Sequence, residues 1–98
     1  MIHALKIEPQ YFDDILSGRK NFEIRKNDRN YILGDLLALN ELNDSRDDYT
    51  GRSLLVKVTY VLADEKFFKP GYVALGITVC QVICNGITST IHYGDSRK

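Results

Sequence analysis

The chain has 98 residues, 44% hydrophobic and 27% charged, and its formal net charge is zero. This length fits one domain with a single core, and this composition excludes a globally disordered protein. A neutral balance also excludes a protein that coats DNA non-specifically, because such binding needs a surplus of Lys and Arg. Any contact with nucleic acid must therefore be local.

The ends and the cysteines indicate neither a membrane protein nor a metalloprotein. The first residues, MIHALKIEP, contain no signal-peptide core, and no segment approaches the roughly 20 apolar residues of a membrane span. We expect a cytoplasmic protein without membrane contact. Cys80 and Cys84 match neither a redox motif nor a disulfide framework. With His92 they would supply only three zinc ligands, so we expect no metal and no cofactor.

The N-terminal third predicts a strand, a helix and a second strand. Residues 4–7 are extended, and Pro9 occupies a position favoured at the start of a helix. Phe12 and Ile15 recur at helical spacing, and Ser17-Gly18 supplies a stop. The pattern predicts one helix of about two turns.

Residues 21–25 then alternate with period two, which is typical of a half-buried strand. Phe22 and Ile24 fall on one face, and Glu23 and Arg25 on the other. We expect the polar face to be the outer one.

The remainder of the chain predicts strands joined by turns. The predicted strands are residues 36–40, 53–62, 72–84 and 87–93. Residues 41–52 read as an acidic loop, Gly76 as a bulge, and Asn85-Gly86 as a type I′ hairpin turn. We expect the last residues, GDSRK, to fray. This order predicts an α+β protein: a small mixed β-barrel of five to six strands with one main N-terminal helix.

The run GRKNFEIRKNDR at residues 18–29 concentrates charge and hydrogen-bonding groups. Its cations are Arg19, Lys20, Arg25, Lys26 and Arg29, and its carboxylates are Glu23 and Asp28. Arg recognises phosphate or base edges through two parallel bonds, while Asn27 and Asp28 add donors and acceptors. A pocket that reads a base needs both kinds of group. The alternative is an exposed strand and loop whose ion pairs only maintain solubility.

Aromatic residues could complete such a pocket, because stacking on a base stabilises binding. The candidates for stacking are Tyr11, Tyr31, Tyr49 and Tyr72.

A catalytic interpretation needs an acid–base pair and a nucleophile or activated water. Lys20 and Glu23 are the candidate catalytic pair if the protein is an enzyme, and Thr50 carries a hydroxyl. His3 and His92 lack a nucleophilic partner in the sequence, and we interpret them as ordinary surface or edge residues.

The segment HALKIEPQYFDDILSGRKNFEIRKNDRNYILGDLLALNE, followed by YTGR and GYVALGI, resembles the DUF3850 family of the ASCH superfamily. The resemblance covers most of residues 3–78, and its central element is a G-x-K-x-x-E-x-R signature. It implies a PUA-like barrel with a cleft between barrel and helix that binds RNA or a nucleotide-like ligand. The signature residues are Gly18, Lys20, Glu23 and Arg25. The candidate ligand-binding residues are Lys20, Glu23, Arg25, Asn27, Asp28, Arg29 and Tyr49.

The resemblance also divides the chain and leaves alternatives. Residues 1–79 are the expected ASCH/PUA-like domain, and residues 80–98 an extension with a hairpin and a tail. One similar branch of the superfamily removes the acetyl group of N4-acetylcytidine, but here Glu23 replaces the threonine that it uses and only Lys20 is retained. An amidohydrolase acting on a modified nucleoside is therefore the second interpretation. A phage-related protein-interaction module is the third, and a monomer or weak dimer is expected.

Overall fold

The computed structural model describes residues 1–85 in full and the backbone of residues 87–90. Its elements follow the predicted order, in which one helix comes after the first strand and every later element is a strand. They are β1 (Ile2–Ile7), α1 (Pro9–Leu16), β2 (Phe22–Lys26), β3 (Leu36–Leu42), β4 (Tyr49–Leu62), β5 (Tyr72–Cys84) and β6 (Ile87–Thr90). The predicted α+β class and the helix are confirmed.

The strands form one mixed sheet that curls into a half-barrel. Its order is β1-β3-β4-β5-β2, and β6 pairs with the C-terminal half of β5. β1 runs parallel to β3, whereas the other pairs are antiparallel. β1 and β2 therefore stand at the two ends of the main path, with one edge of each outside the ladder.

The core lies on the concave face of this sheet and against the helix. The buried apolar residues are Leu5, Ile7, Phe12, Ile15, Tyr31, Leu37, Leu39, Leu54, Val56, Val58, Val73, Leu75, Ile77 and Val79. Alternation along each strand explains the strand members of this set, because every second side chain points to the same face. Phe12 and Ile15 come from α1, and Tyr31 from the connection before β3.

Helix α1 is short and its end is set by a glycine. Pro9 occupies the first turn, where its missing N–H costs no hydrogen bond. At the other end the Gly18 N–H donates to the Ile15 carbonyl at 3.0 Å, and Gly18 has a φ of 84°. Only glycine adopts this left-handed backbone without steric cost. The chain therefore turns sharply into the residues that precede β2.

The predicted orientation of β2 is wrong. Its alternation is as expected, but Glu23 is buried at 4% exposure while Phe22 and Ile24 are 44% and 53% exposed. Burial of a carboxylate is tolerated when cations neutralise it and hydrogen bonds satisfy its oxygens. Lys20 and Arg25 do both, so the polar side of β2 faces inward.

The loop between β3 and β4 and the irregularity beside Gly76 differ from the sequence-based expectation. The acidic loop predicted for residues 41–52 is shorter, because β3 extends to Leu42 and pairs with Tyr49 beyond a register shift. Gly76 does not interrupt β5; the irregularity beside it lies in β4, where Thr59 is the extra residue. A Cβ on Gly76 would lie 3.1 Å from Thr59 Oγ1, so the position favours glycine.

The predicted C-terminal hairpin is confirmed over its described part. Cys84 pairs with Ile87, and Asn85 has a positive φ of 50°, as a two-residue I′ turn requires. The pairing expected for residues 91–93 and the fraying expected for the tail lie outside the described residues. The expected domain boundary after residue 79 falls inside β5, and the two-part division stays a prediction.

Candidate functional site

Two hollows lie in the gap between β1 and β2, on either side of Arg25. The first, of about 480 Å³, we call the Tyr11 hollow, and the second, of about 360 Å³, the Tyr49 hollow. The Tyr11 hollow is lined by Lys6, Ile7, Glu8, Tyr11, Lys20, Phe22, Glu23, Ile24 and Arg25. The Tyr49 hollow is lined by Ala4, Leu5, Lys6, Arg25, Lys26, Asp28, Arg29, Tyr31, Asn40 and Tyr49.

The three charged residues of the signature form one ion cluster, which we call the Glu23 cluster. Glu23 Oε1 accepts a hydrogen bond from Lys20 Nζ at 2.6 Å, and Oε2 accepts one from Arg25 Nε at 2.8 Å. Each carboxylate oxygen thus has its own cation. The cluster holds both cations in fixed positions at the wall of the Tyr11 hollow.

Lys20 is further held by a carbonyl and two aromatic rings. Its Nζ donates to the Phe22 carbonyl at 2.7 Å and lies 5.2 Å and 4.8 Å from the ring centroids of Tyr11 and Phe22. Both distances are within the range of cation–π attraction. The turn at Gly18 places Lys20 between helix α1, which carries Tyr11, and strand β2, which carries Phe22. Local chain geometry therefore explains the Gly-x-Lys spacing.

Arg25 bridges the two unpaired edges. Its Nη2 donates to the Lys6 carbonyl at 2.7 Å, across the gap where β1 and β2 form no backbone ladder. The guanidinium divides the cleft into its two hollows and lines both of them. It therefore contributes to fold closure and to the surface that a ligand would meet.

Both cations keep part of their surface accessible. The side chains of Lys20 and Arg25 are 17% and 23% exposed. The hydrogen bonds of the described residues use two of the three Lys20 N–H donors and leave Arg25 Nη1 without an acceptor. A ligand oxygen in the cleft could accept from either.

The Tyr49 hollow is the more basic of the two. Lys6, Lys26 and Arg29 join Arg25 there, and Asp28 is its one carboxylate. Asp28 and Arg29 are only loosely paired at 3.9 Å, and both are substantially exposed. A negatively charged group would be favoured in this hollow.

Two candidates have structural contacts instead. Asn27 lines neither hollow; its Oδ1 accepts from the Tyr31 N–H at 3.2 Å, and its N–H donates to the Gly71 carbonyl at 2.7 Å. Tyr31 is buried and packs edge-on against His3, with ring centroids 5.1 Å apart. Burial raises the pKa of the Tyr31 hydroxyl, and a nearby carboxylate, Asp28, raises it further. Because the Tyr31 ring is buried, it offers little surface on which a base could stack.

A second ion cluster, which sequence reasoning missed, lies in β3 and β4. Arg52 binds Glu41 through two parallel bonds, Nε to Oε1 at 2.8 Å and Nη2 to Oε2 at 2.7 Å. Thr50 Oγ1 donates to Glu41 Oε1 at 2.7 Å, and Asp13 lies 3.3 Å from Arg52 Nη2. We call these four residues the Glu41 cluster. Glu41 lies in the segment ALNE, and Thr50 and Arg52 lie in YTGR. Neither segment indicates that these residues contact one another.

The bonds within this cluster shift the pKa values of both partners. Arg52 holds the pKa of the Glu41 carboxyl below its usual value, despite burial. The bond to Glu41 in turn raises the pKa of the Arg52 guanidinium. The pair therefore stays ionised in the fold. Thr50 is bound there, so it supplies no nucleophile to the cleft at the Glu23 cluster.

His3 was expected at the surface or at a sheet edge; it lies on the edge strand β1, but it is not at the surface. His3 is buried, and its Nε2 lies 2.9 Å from Asp35 Oδ2. Asp35 also accepts from the Ile32 N–H at 3.1 Å. The contact with His3, followed by the bond from Ile32, lowers the pKa of the Asp35 carboxyl. The two partners are 32 residues apart in sequence, so spacing offered no signal for this pair.

Within the described residues, no group of three or more His, Cys, Asp or Glu side chains is arranged to hold a metal ion. No helix in that part of the chain has the length and apolar character needed to cross a membrane.

Comparison with known proteins places the chain in a family. A curated relative, the "uncharacterized 12.9 kDa protein in GpA 3′ region" of Escherichia phage P2, is 43% identical over 60 residues, or 61% of this chain. That match spans about half, 53%, of the phage protein. The family model for the domain of unknown function DUF3850 matches residues 2–77. The chain thus belongs to the DUF3850 family, as its signature indicated.

Proposed function

We propose that the protein is a binding module for a nucleotide-like ligand or RNA, which occupies the cleft between β1 and β2. The observation that carries this proposal is the Glu23 cluster, which borders the Tyr11 hollow with two cations that retain accessible N–H donors. An ion cluster needed only for solubility would not combine a buried carboxylate with a neighbouring hollow.

The two hollows offer different chemistry to the two parts of a nucleotide. Tyr11 and Phe22 line the first hollow with exposed rings, which suit a base. Four cations against one carboxylate line the second, which suits a phosphate. Arg25 stands between them. A nucleotide lying across Arg25 would satisfy both.

Glu23 acts in this proposal as a positioning residue. Its two oxygens each accept from one cation, so it fixes where the remaining donors of Lys20 and Arg25 lie. Preorganised donors bind more tightly than mobile ones, because less side-chain entropy is lost on binding. Asp28, Arg29 and Tyr49 would complete the second hollow, and Asn27 would hold the turn that carries Asp28 and Arg29.

Membership of the ASCH superfamily and a PUA-like barrel form part of the same proposal. Support comes from the curled mixed sheet and from the position of α1 beside the cleft, next to the signature residues. A fold alone does not establish a function, so the proposal depends on the site.

Chemical-shift perturbation of the 15N-labelled protein with nucleoside monophosphates and short RNAs tests the proposal. Saturable shifts are expected at the residues of both hollows, and Arg25→Ala should abolish them. Arg19→Ala is the matched control, because Arg19 belongs to the same charged run but pairs with Asp14 and lines neither hollow. No saturable shift with any nucleotide, or equal loss in both variants, would refute the proposal.

A hydrolase acting on a modified nucleoside is the second candidate. It is favoured by the 2.6 Å contact of Lys20 and Glu23 beside a hollow of ligand size, which places the candidate acid–base pair together. If the wild type hydrolysed N4-acetylcytidine and Lys20→Ala did not, the protein would be a hydrolase and not only a binding module.

A further inference from the structure

Charge is segregated between the two faces of the sheet. Among the six described strands, the carboxylates are Glu23 and Glu41, and both point inward and are bonded to cations. The strand lysines, Lys6, Lys26 and Lys57, are all exposed on the opposite side. A chain with zero net charge therefore has an outer sheet face with cations and without strand carboxylates. Such a face attracts a polyanion.

Aromatic side chains lie on the same outer face of β2, β5 and β4. Cross-strand partners share a face, and Gly76 pairs with Phe22 on one side and with Tyr60 on the other. Tyr72 pairs with Lys26 four residues along β5 from Gly76, two rows away on the same face. Tyr60 is the most open of these rings, at 63% exposure. We call Phe22, Tyr60 and Tyr72 the aromatic platform.

The platform is continuous with the cleft. Phe22 and Ile24 line the Tyr11 hollow and also stand on the outer face of β2. Gly76, between the Phe22 and Tyr60 rows, has no side chain to block the path from one ring to the other. A chain leaving the Tyr11 hollow over β2 would therefore meet Tyr60 next.

We propose that the aromatic platform binds a single-stranded nucleic acid, so that the ligand of the cleft is one nucleotide of a polymer. This inference rests on the proposed function and specifies its ligand. Bases stack on exposed rings without regard to sequence, and lysines beside the rings meet the backbone phosphates. A protein partner would be matched less well, because the strand residues of this face include cations and no carboxylates to exchange charge with a mixed surface.

Fluorescence anisotropy with a labelled single-stranded RNA of about ten nucleotides tests the platform. Tyr60→Ala should weaken binding of this RNA by about one to two orders of magnitude, because one stacked base is lost. It should leave the shifts caused by nucleoside monophosphates in the cleft unchanged. Tyr60→Phe is the matched control, because it keeps the ring and should keep most of the affinity.

The outcomes separate the two proposals. If Tyr60→Ala binds the RNA as tightly as the wild type while Arg25→Ala loses nucleotide binding, the platform is refuted and the cleft stands. If Tyr60→Ala weakens RNA binding and no nucleotide enters the cleft, the rings bind RNA on their own, and both the cleft proposal and the continuity of cleft and platform are overturned. Wild-type protein that binds no RNA but self-associates through a contact abolished by Tyr60→Ala would make the face a protein interface and overturn this inference.

Discussion

Two buried glutamates on the concave face are neutralised by arginine in different ways. Glu41, at 2% exposure, receives both bonds of one planar guanidinium, that of Arg52. Glu23 is similarly buried and accepts one hydrogen bond from Lys20 and one from Arg25. Arg25 also donates to the Lys6 carbonyl. In the first arrangement one cation serves two carboxylates, because Arg52 also contacts Asp13. In the second, two cations serve one carboxylate.

The surroundings of the two clusters differ in the same direction. The depression beside Glu41 also contains Asp13 and Asp44, so carboxylates outnumber Arg52 there. The hollows beside Glu23 contain more cations than carboxylates. Similar residue types therefore produce a structural clamp in one place and a candidate anion-binding site in the other. Stability should depend mainly on the Glu41 cluster, and binding on the Glu23 cluster.

The largest expected effect is that of Arg52→Ala on stability. It removes both hydrogen bonds that Arg52 donates to Glu41 and leaves a buried carboxylate with only the Thr50 hydroxyl. We expect the free energy of unfolding to fall by about 3 kcal/mol, the lower end of the range for breaking buried pairs, because Arg52 is partly exposed. Urea denaturation measures this as a lower midpoint at constant slope.

Arg46→Ala is the control for that experiment. Arg46 also pairs with a glutamate, Glu8, at 2.6 Å, but both side chains are more than 40% exposed. Exposed pairs contribute about 0–1 kcal/mol. Equal losses in the two arginine variants would contradict the structural role of the Glu41 cluster.

Arg25→Ala should cost less stability than Arg52→Ala. Glu23 keeps its bond to Lys20 in this variant, and the contact with the Lys6 carbonyl is the other bond lost. A loss of about 1.5 kcal/mol is expected for hydrogen bonds to a charged group. Nucleotide binding should nevertheless disappear. Both the free energy of unfolding and nucleotide binding should be measured for Arg25→Ala and Arg52→Ala. If Arg52→Ala, once refolded at low temperature, also lost nucleotide binding, the assignment of binding to the Glu23 cluster alone would be wrong.

A third effect is the loss of stability in acid. The pKa values of Glu41 and Asp35 are lowered in the fold, so the unfolded chain binds protons more readily than the folded one. Their contribution is therefore present above the unfolded pKa values, near 4, and is lost as the pH falls through the lower folded ones.

Glu41→Gln isolates one of these groups. Its urea midpoint should decline less steeply than that of the wild type between about pH 5 and pH 3, because residue 41 no longer takes up a proton. Parallel declines would show that the Glu41 carboxylate contributes no pH dependence.

The sequence predicted elements well and orientation poorly. Period-two alternation located β2, but it could not decide which face is buried, because apolar Phe22 and Ile24 alternate with residues that neutralise one another. The hydrophobic pattern normally predicts which face is buried. Here Lys20, which lies outside the strand, bonds the Glu23 carboxylate and helps the polar face of β2 to be the buried one. The position of Lys20 depends on the turn at Gly18, which the pattern indicated only as a helix stop.

Long-range pairs explain the rest of what was missed. Glu41 and Arg52 meet only after β3 and β4 pair, and His3 meets Asp35 only after β1 joins β3 in parallel. Composition and spacing carry no information on such partners. Tyr60 follows the inward-facing Val56 and Val58 at period two, but the extra residue at Thr59 shifts its side chain to the outer face.

The smallest expected effects concern two glycines: Gly18, shortly before Lys20 of the Glu23 cluster, and Gly51, directly before Arg52 of the Glu41 cluster. Gly18 and Gly51 both have positive φ, at 84° and 93°. A Cβ on Gly18 meets nothing within 4 Å, whereas one on Gly51 would overlap the Asn85 side-chain oxygen. Gly18→Ala should therefore cost only the backbone strain, about 1 kcal/mol, and Gly51→Ala more. Gly18→Asn should lose less than Gly18→Ala, because Asn enters this region more readily. If denaturation midpoints placed Gly18→Ala below Gly51→Ala, the open surroundings of the turn before Lys20 would be refuted.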